Sequence, residues 1–511
     1  MSDPSAIQLP VHQALTSDMM LGLKPSAPKS RSYRINVAPL NQSTFSGGSQ
    51  MIFELPTGRK GTWLDQSQSY LKFSVQCTAT AACAANVTTN TAGGFVPNGI
   101  YVENSAYSFI QRMDLYHSSN LLESISEYGQ LANFLMDTSL TQSDKAGLSA
   151  LLGTNPLDTT VGSITTPGAG FVNGTTYSST TLQYQRPGDR SGLSMSAVIN
   201  TAAITTAIPY TFTLPVLSGV IGVNASKMLP VGKLASPVRC EFYLSPNDDA
   251  IFYGVAGAGA VWQICNAELC VCYVELQDDS VEQIIPQGAT EYISTKTYRQ
   301  SSTYLPAATS GEFTTLVPIR CASLCSIFAR FRPYATAAQG VAASAAYRKS
   351  ASINPNFSSY YWRIGSSIYP NKPVYLINGT NVGTGAEGFA ELIKSFHALS
   401  SSIGNSAMTH TMYNVAATAT QGWTINAVPS ATSLGTHTNA FGIGLELESF
   451  SNRGDTILSG VSTLNSQVYF TAVVNNGVNC GGTNNCNYTC DFFSQLDMIL
   501  CITDGVMSAK F

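Results

Sequence analysis

One order of elements occurs twice in this chain, about 250 residues apart. In the second half, Phe357-Ser-Ser-Tyr-Tyr-Trp-Arg-Ile-Gly-Ser-Ser-Ile-Tyr-Pro-Asn-Lys-Pro-Val-Tyr-Leu-Ile377 reads as an aromatic strand, a proline-marked bend at Tyr369–Pro373 and a second apolar run. A Gly-rich spacer follows, then residues 386–403, where Phe389, Leu392, Ile393 and Phe396 fall at helical spacing. In the first half Phe109–Tyr116 reads as a strand and leads into residues 124–137. There Ile125, Tyr128, Leu131, Ala132 and Leu135 share one helical face.

A second pairing points the same way. Val231-Gly-Lys-Leu-Ala-Ser-Pro-Val238 and Val461-Ser-Thr-Leu-Asn-Ser-Gln-Val468 match at four of eight positions. Each runs on into a strand candidate, Arg239–Leu244 and Tyr469–Val474, and each follows an apolar run, Pro209–Leu217 and Phe441–Leu447. Each half closes on a buried-strand pattern, Leu269–Leu276 and Leu496–Thr503. One architectural unit present twice is the simplest reading.

Composition bounds what that unit is. Of 511 residues only 11% are charged, against the roughly 25% usual for soluble domains. The 26 basic and 30 acidic residues leave a net charge of −4, so no cationic excess is available to neutralise a nucleic-acid backbone in bulk. A lightly charged chain rich in Ser, Thr, Gly, Tyr and Phe suits stacked sheets whose hydroxylic outer faces meet other copies. The N-terminus, Met1–Pro10, carries no apolar signal core, and no apolar run reaches about 18 residues, the span of a membrane helix. Folding inside a cell is therefore expected, and most of the twelve cysteines are expected as thiols, with either state open to Cys480, Cys486 and Cys490. Cys240, Cys270, Cys272 and Cys501 alternate with apolar residues in strands, where Cys packs as a small hydrophobe. The sequons at Asn41, Asn86, Asn173, Asn224, Asn356, Asn378 and Asn487 then carry little meaning.

Taken in order, residues 1–30 hold Pro4, Pro10, Pro25 and Pro28 with no sustained period, and read as an extended arm. From Tyr33 the reading is β: Tyr33–Val37, Met51–Leu55 and Tyr70–Gln76 alternate or run apolar between Gly and Pro breaks. Residues 78–98 and 153–181, thick in Ala, Thr, Ser, Asn and Gly, are expected as long loops at one end of a sandwich. The first half, 31–277, is followed by a linker at 278–289, where Asp278-Asp-Ser-Val-Glu-Gln-Ile-Ile-Pro286 offers one capped helical turn. The second half, 290–511, restarts with Thr290–Leu305 and Phe313–Arg332. The fold class is all-β, expected as two sandwiches in tandem with a few short helices and long surface loops; eight strands per half would suit a jelly roll.

A search for chemistry returns little. His12, His117, His397, His410 and His437 are scattered, and each reads as a surface or structural residue. Cys480, Cys486 and Cys490 cluster in a Gly/Asn loop at a spacing that matches no common zinc pattern. The acid pairs Asp248-Asp249 and Asp278-Asp279 sit where Asp caps a turn or helix. Arg453-Gly-Asp455, although it is an integrin-ligand tripeptide, reads as a tight turn. No phosphate loop and no nucleophile elbow occur. No catalytic residue, cofactor site, metal site or small-molecule substrate is expected, and the chain is not read as an enzyme.

This doubled sandwich resembles the double jelly-roll major capsid proteins of double-stranded DNA viruses, the adenovirus-hexon lineage. Tyr360–Val374, Phe53-Glu-Leu-Pro56 and the strand from Tyr70 look most like the capsid proteins of polinton-like viruses and virophages. The resemblance spans nearly the whole chain through short motifs. It implies a homotrimer whose six barrels form a pseudo-hexagonal capsomer of an icosahedral shell enclosing a DNA genome. It also implies neighbouring capsomers, penton and minor capsid proteins as partners, a virion location, and an arm at the inner end that touches membrane or genome.

Three other readings compete. A single-barrel coat protein of an RNA virus usually has a densely basic arm, whereas here Lys24, Lys29, Arg31 and Arg34 are the only basic residues in the first 34. An exported carbohydrate-binding or adhesive β-sandwich protein would call for a signal peptide. A cupin or glycosidase would need clustered His ligands or a convergent carboxylate pair.

Overall fold

A computed structural model describes residues 29–81, 100–154, 191–195, 203–205, 207–225, 227–253, 259–277, 290–305, 311–333, 357–376, 385–396, 440–449, 457–474, 479–480, 483–484 and 488–511, together with residues 352, 355, 406, 408 and 413. The arm, the linker at 278–289, most of the two long first-half loops and Arg453-Gly-Asp455 lie outside the described residues.

Eight strands of the first half form two antiparallel sheets. They are β1 (Ser30–Val37), β2 (Gln50–Leu55), β3 (Thr62–Thr78), β4 (Ile110–His117), β5 (Asn120–Ser126), β6 (Tyr210–Pro215), β7 (Val238–Leu244) and β8 (Val261–Leu276). The sheets run β1-β8-β3-β6 and β2-β7-β4-β5. Eight more strands follow: β9 (Thr290–Leu305), β10 (Gly311–Val317), β11 (Leu324–Pro333), β12 (Phe357–Ile364), β13 (Ser367–Tyr375), β14 (Gly442–Glu446), β15 (Val468–Val474) and β16 (Tyr488–Thr503). Their sheets run β9-β16-β11-β14 and β10-β15-β12-β13, so each strand of the first half has its counterpart eight numbers on. A last strand, β17 (Val506–Lys510), adds to β16. Each half is thus a jelly roll with the same strand order.

The repeat reaches down to residue patterns. Val238, Cys240, Phe242 and Leu244 of β7 point into the first core, and Val468, Phe470, Ala472 and Val474 of β15 into the second, with the period of two that a half-buried strand requires. Leu64 of β3 bridges to Leu229 just before Val231, and Leu324 of β11 bridges to Val461. The two matched octapeptides therefore occupy the same place in each barrel. Phe73, Phe109, Phe212 and Trp262 pack edge to face or stacked in the first core. Phe331, Phe357, Trp362, Phe470 and Phe492 do so in the second.

Two expected elements differ. Residues 120–126 form β5, paired with β4 through Met113 and Ile125, and the helix α1 occupies Tyr128–Ser139. Glu127, in the left-handed region at φ 50°, makes the turn between them. In the second half the hairpin turns at Gly365, φ 60°, not at Tyr369–Pro373. Those residues lie inside β13, where residues 370–373 bulge between the paired Tyr369 and Val374. The strand is at a sheet edge, and an edge strand tolerates proline because the missing N–H faces no partner. The helix α2 runs Ala386–Lys394, shorter than the periodicity suggested. Both helices nonetheless follow the fifth strand of their barrel.

Candidate assembly interface

The two barrels share a buried seam. The sheet β9-β16-β11-β14 turns Phe331 and Phe492 into its own core, so alternation turns Phe328 and Phe493 outward. These outward rings are fully buried. Phe134 stacks on Phe328 with centroids 5.7 Å apart, and Phe396, just past α2, meets both rings. Ten of the twelve α1 residues are buried, between its own barrel and the second, far beyond the single stripe of an ordinary surface helix.

Polar groups register the seam. Arg330 Nη1 donates to Gln130 Oε1 at 2.8 Å, and Arg330 lies 3.5 Å from Asp491 through Nε. Arg332 grips the same carboxylate with Nε and with Nη2, the latter at 2.9 Å, and Ser302 donates to it at 2.8 Å. Burial alone would raise the Asp491 pKa, but Arg332 and Arg330 hold it below the ordinary carboxylate value. A buried carboxylate facing two guanidiniums fixes geometry more than it adds stability. Two glycines permit the close approach. A Cβ on Gly442 would stand 2.4 Å from the Phe134 ring, and one on Gly219 would stand 2.4 Å from the Lys296 carbonyl oxygen.

At the β5 edge, Glu123 is fully enclosed between Ser218 and Gly219 of its own barrel and Thr297 of β9, all three donating to its carboxyl. Burial pushes its pKa up against the pull of those bonds. His117 accepts from Met507 N–H through Nδ1 at 3.1 Å while Nε2 faces the Ser236 carbonyl at 3.1 Å, so β17 is pinned to the first barrel by a neutral imidazole. Burial lowers the His117 pKa, in keeping with that role. At the far end of the same outward face, Glu448 takes Lys296 at 2.9 Å, and neighbouring Glu446 is pushed up to about 7 by burial and by Glu448.

Little else among the residues singled out by sequence comes together. His117 is the one described histidine; the other four lie outside the described residues. Cys240 and Cys490 sit in the cores, whereas Cys270, Cys272 and Cys501 are buried on the opposite faces of their strands rather than among the core side chains. All five are unbridged. Cys486 lies outside the described residues, as do Asp278 and Asp279, while Asp248-Asp249 belongs to the short helix Asn247–Ala250. Among the described residues, no three His, Cys, Asp or Glu side chains lie close enough to hold a metal ion, and no helix is long and apolar enough to cross a membrane. A cleft of about 460 Å³ is lined by Arg31, Arg59, Lys60 and Glu275, and Arg59 Nη1 pairs with the Glu275 carboxylate at 3.0 Å. Sequence reasoning missed Gln130, Arg330 and Arg332. Their signal was present: two arginines at i and i+2 interrupt the otherwise apolar Ile327-Phe-Ala-Arg-Phe-Arg332.

No protein-family model and no curated protein matches the chain. Solved structures do match. A chain of the Sputnik virophage cryo-EM structure superposes with a TM-score of 0.57 at 12% identity, covering 99% of this chain and 94% of its own. The Faustovirus major capsid protein gives 0.54 at 11% identity, covering 96% and 93%. The PBCV-1 virus capsid gives 0.53 at 9%, covering 96% and 98%. With identities this low the likeness is one of fold, and it extends from end to end. This chain has the double jelly-roll fold of viral major capsid proteins.

Proposed function

We propose that the chain is a major capsid protein whose homotrimers, six barrels each, form the pseudo-hexagonal capsomers of an icosahedral shell around a DNA genome. The observation that carries this reading is the buried seam: two barrels of identical strand order, docked wall to wall through α1, make one third of such a ring. The near-complete coverage of viral capsid chains by this fold supports it over an adhesive or carbohydrate-binding sandwich. The role is structural rather than catalytic, and the location is the virion.

Its parts divide as an arm at 1–30, a first barrel at 31–277, a linker at 278–289 and a second barrel at 290–511. The division is supported by β1 starting at Ser30, β8 ending at Leu276 and β9 starting at Thr290. Neighbouring capsomers, penton and minor capsid proteins are the partners, and the arm reaches a membrane or the genome at the inner end. Electron microscopy of the purified protein tests the proposal. Six-lobed particles are expected. Globular two-lobed particles at every concentration would overturn it.

A further inference from the structure

Away from the seam, Asn104, Asp137 and Lys145 meet in one buried cluster. Lys145 Nζ donates to the Asp137 carboxylate at 2.7 Å and to Asn104 Oδ1 at 3.2 Å. The Asp137 side chain is fully enclosed, that of Lys145 is 12% exposed, and Asn104 is 1% exposed. Three separate elements bring them together. Asp137 sits in the last turn of α1, Lys145 in the short helix Gln142–Gly147, and Asn104 directly after the strand Ile100–Glu103.

Each is held from behind. Thr141 and Asp144 cap the short helix reciprocally, and the Thr154 hydroxyl donates to the Lys145 carbonyl. Asn104 takes φ 63°, in the left-handed region, and Ser105 N–H bonds back to the Glu103 carbonyl at 2.8 Å. A lysine ammonium carries only donors, so the amide oxygen of Asn104 faces it and Nδ2 points elsewhere. That nitrogen is buried with no hydrogen-bond partner among the described residues, which a purely structural asparagine would not be expected to tolerate.

We infer that Lys145 and Asn104 join in a self-catalysed isopeptide bond, with Asp137 as the proton carrier. Asp137 accepts a proton from Lys145 Nζ, and the neutral amine attacks Asn104 Cγ with its lone pair. The Nζ–Cγ bond forms and the Cγ–Nδ2 bond breaks. Nδ2 gains one proton from the attacking nitrogen and the one held by Asp137, and leaves as ammonium. Asp137 is returned as a carboxylate, and no oxidant or co-reactant is consumed. With Nζ 3.2 Å from Oδ1 and a carbonyl bond of about 1.23 Å, Nζ stands within about 4.4 Å of Cγ, so a small side-chain rotation reaches attack distance. Burial supports the transfer, since it exchanges two enclosed charges for none. A second trio of the same composition lacks these features. Lys72 and Asn36 share Glu268, but there the asparagine turns its nitrogen to the acid and the Lys72 side chain is 36% exposed. Ring closure to a succinimide also expels ammonia, yet it needs the Ser105 nitrogen, which Glu103 engages. The bond encloses β4, β5 and α1 in one covalent loop and so locks the seam helix to its own barrel.

The test is the intact mass of folded full-length protein against the same chain kept unfolded in urea, followed by peptide sequencing. A folded-state deficit of about 17 Da, the ammonia displaced by the lysine amine, is expected, with a branched tryptic peptide joining residues 104 and 145. Lys145→Arg keeps the charge beside Asp137 but has no amine to acylate, and its folded and unfolded masses should agree. Asp137→Asn leaves both reacting groups in place and should slow bond formation by about 100-fold or more. Equal masses for the folded and unfolded native chain would overturn the inference. So would a deficit that sequencing confines to residues 104–105, or one that persists in Lys145→Arg. A native rate of bond formation in Asp137→Asn would overturn the role given to Asp137.

Discussion

Arg330 and Gln130 stand 200 residues apart in sequence and 2.8 Å apart in space, and the hydrogen bond between them crosses from one barrel to the other. It sits at the centre of a seam where a helix of the first barrel covers the outer face of a sheet of the second. That sheet is therefore buried on both faces, and residues 324–332 of β11 and 490–502 of β16 are buried almost throughout.

The carboxylate beneath this bond faces two arginines. Replacing Asp491 by Asn removes the buried carboxylate that Arg330 and Arg332 both face, and breaking such a buried pair costs about 3–5 kcal/mol. Urea unfolding of the purified variant should show a loss of that order. A loss below about 1 kcal/mol, the range of exposed ion pairs, would contradict the burial described here.

Gly442 and Phe134 form a second check on the seam. A methyl group at 442 would meet the Phe134 ring, an overpacking that costs about 1–3 kcal/mol, and Phe134→Ala alone should cost about 3–5 kcal/mol. Because both changes act on one space, Gly442→Ala should cost much less in the Phe134→Ala background than in the native chain. Strict additivity in a double-mutant cycle would show that the two residues do not touch.

The pH dependence has a defined sign. Glu446 in the folded chain titrates near 7, above its ordinary value of 4.5, because burial and Glu448 disfavour its charge. The folded state therefore holds the proton more tightly, and the contribution of this group, full below pH 4.5, is lost as pH rises through about 7. His117 acts oppositely, since its lowered pKa makes stability fall as pH drops below its ordinary value of 6.5. Comparing Glu446→Gln with the native chain above pH 6.5 isolates the first effect. The variant's melting temperature should fall less between pH 6.5 and 8, and parallel curves would remove Glu446 from the account.

Residues 1–28 contain four prolines and the apolar Leu9, Val11, Leu15, Met19, Met20, Leu21 and Leu23, too few for a core yet more than a free tail needs. Ordering such a segment costs entropy that only a neighbouring surface can offset. Deleting it should leave a soluble trimer of unchanged melting temperature that no longer closes into shells. Normal shells from the truncated protein would contradict a role in assembly.

The repeat itself was legible because it rests on period-two alternation whose phase survives: Phe242 and Phe470 occupy the same strand of their barrels. The start of α1 was not. Leu122 and Ile125 suit a helical face as well as a strand, and what decides is pairing with β4, a tertiary effect. Tyr369–Pro373 misled for a related reason, since proline ends a central strand but not an edge one, and edge position is set by the fold. The seam was the least legible. Arg330 and Arg332 showed only that charges interrupt an apolar strand, and nothing local names Gln130 or Asp491 as their partners.

The mass of the protein in solution tests the central claim most directly. Multi-angle light scattering at micromolar concentration should give about 160 kDa, three times the 54.2 kDa of one chain, with no dimer on dilution before monomer appears. A constant 54.2 kDa across that range, or a closed dimer, would contradict a ring of six barrels.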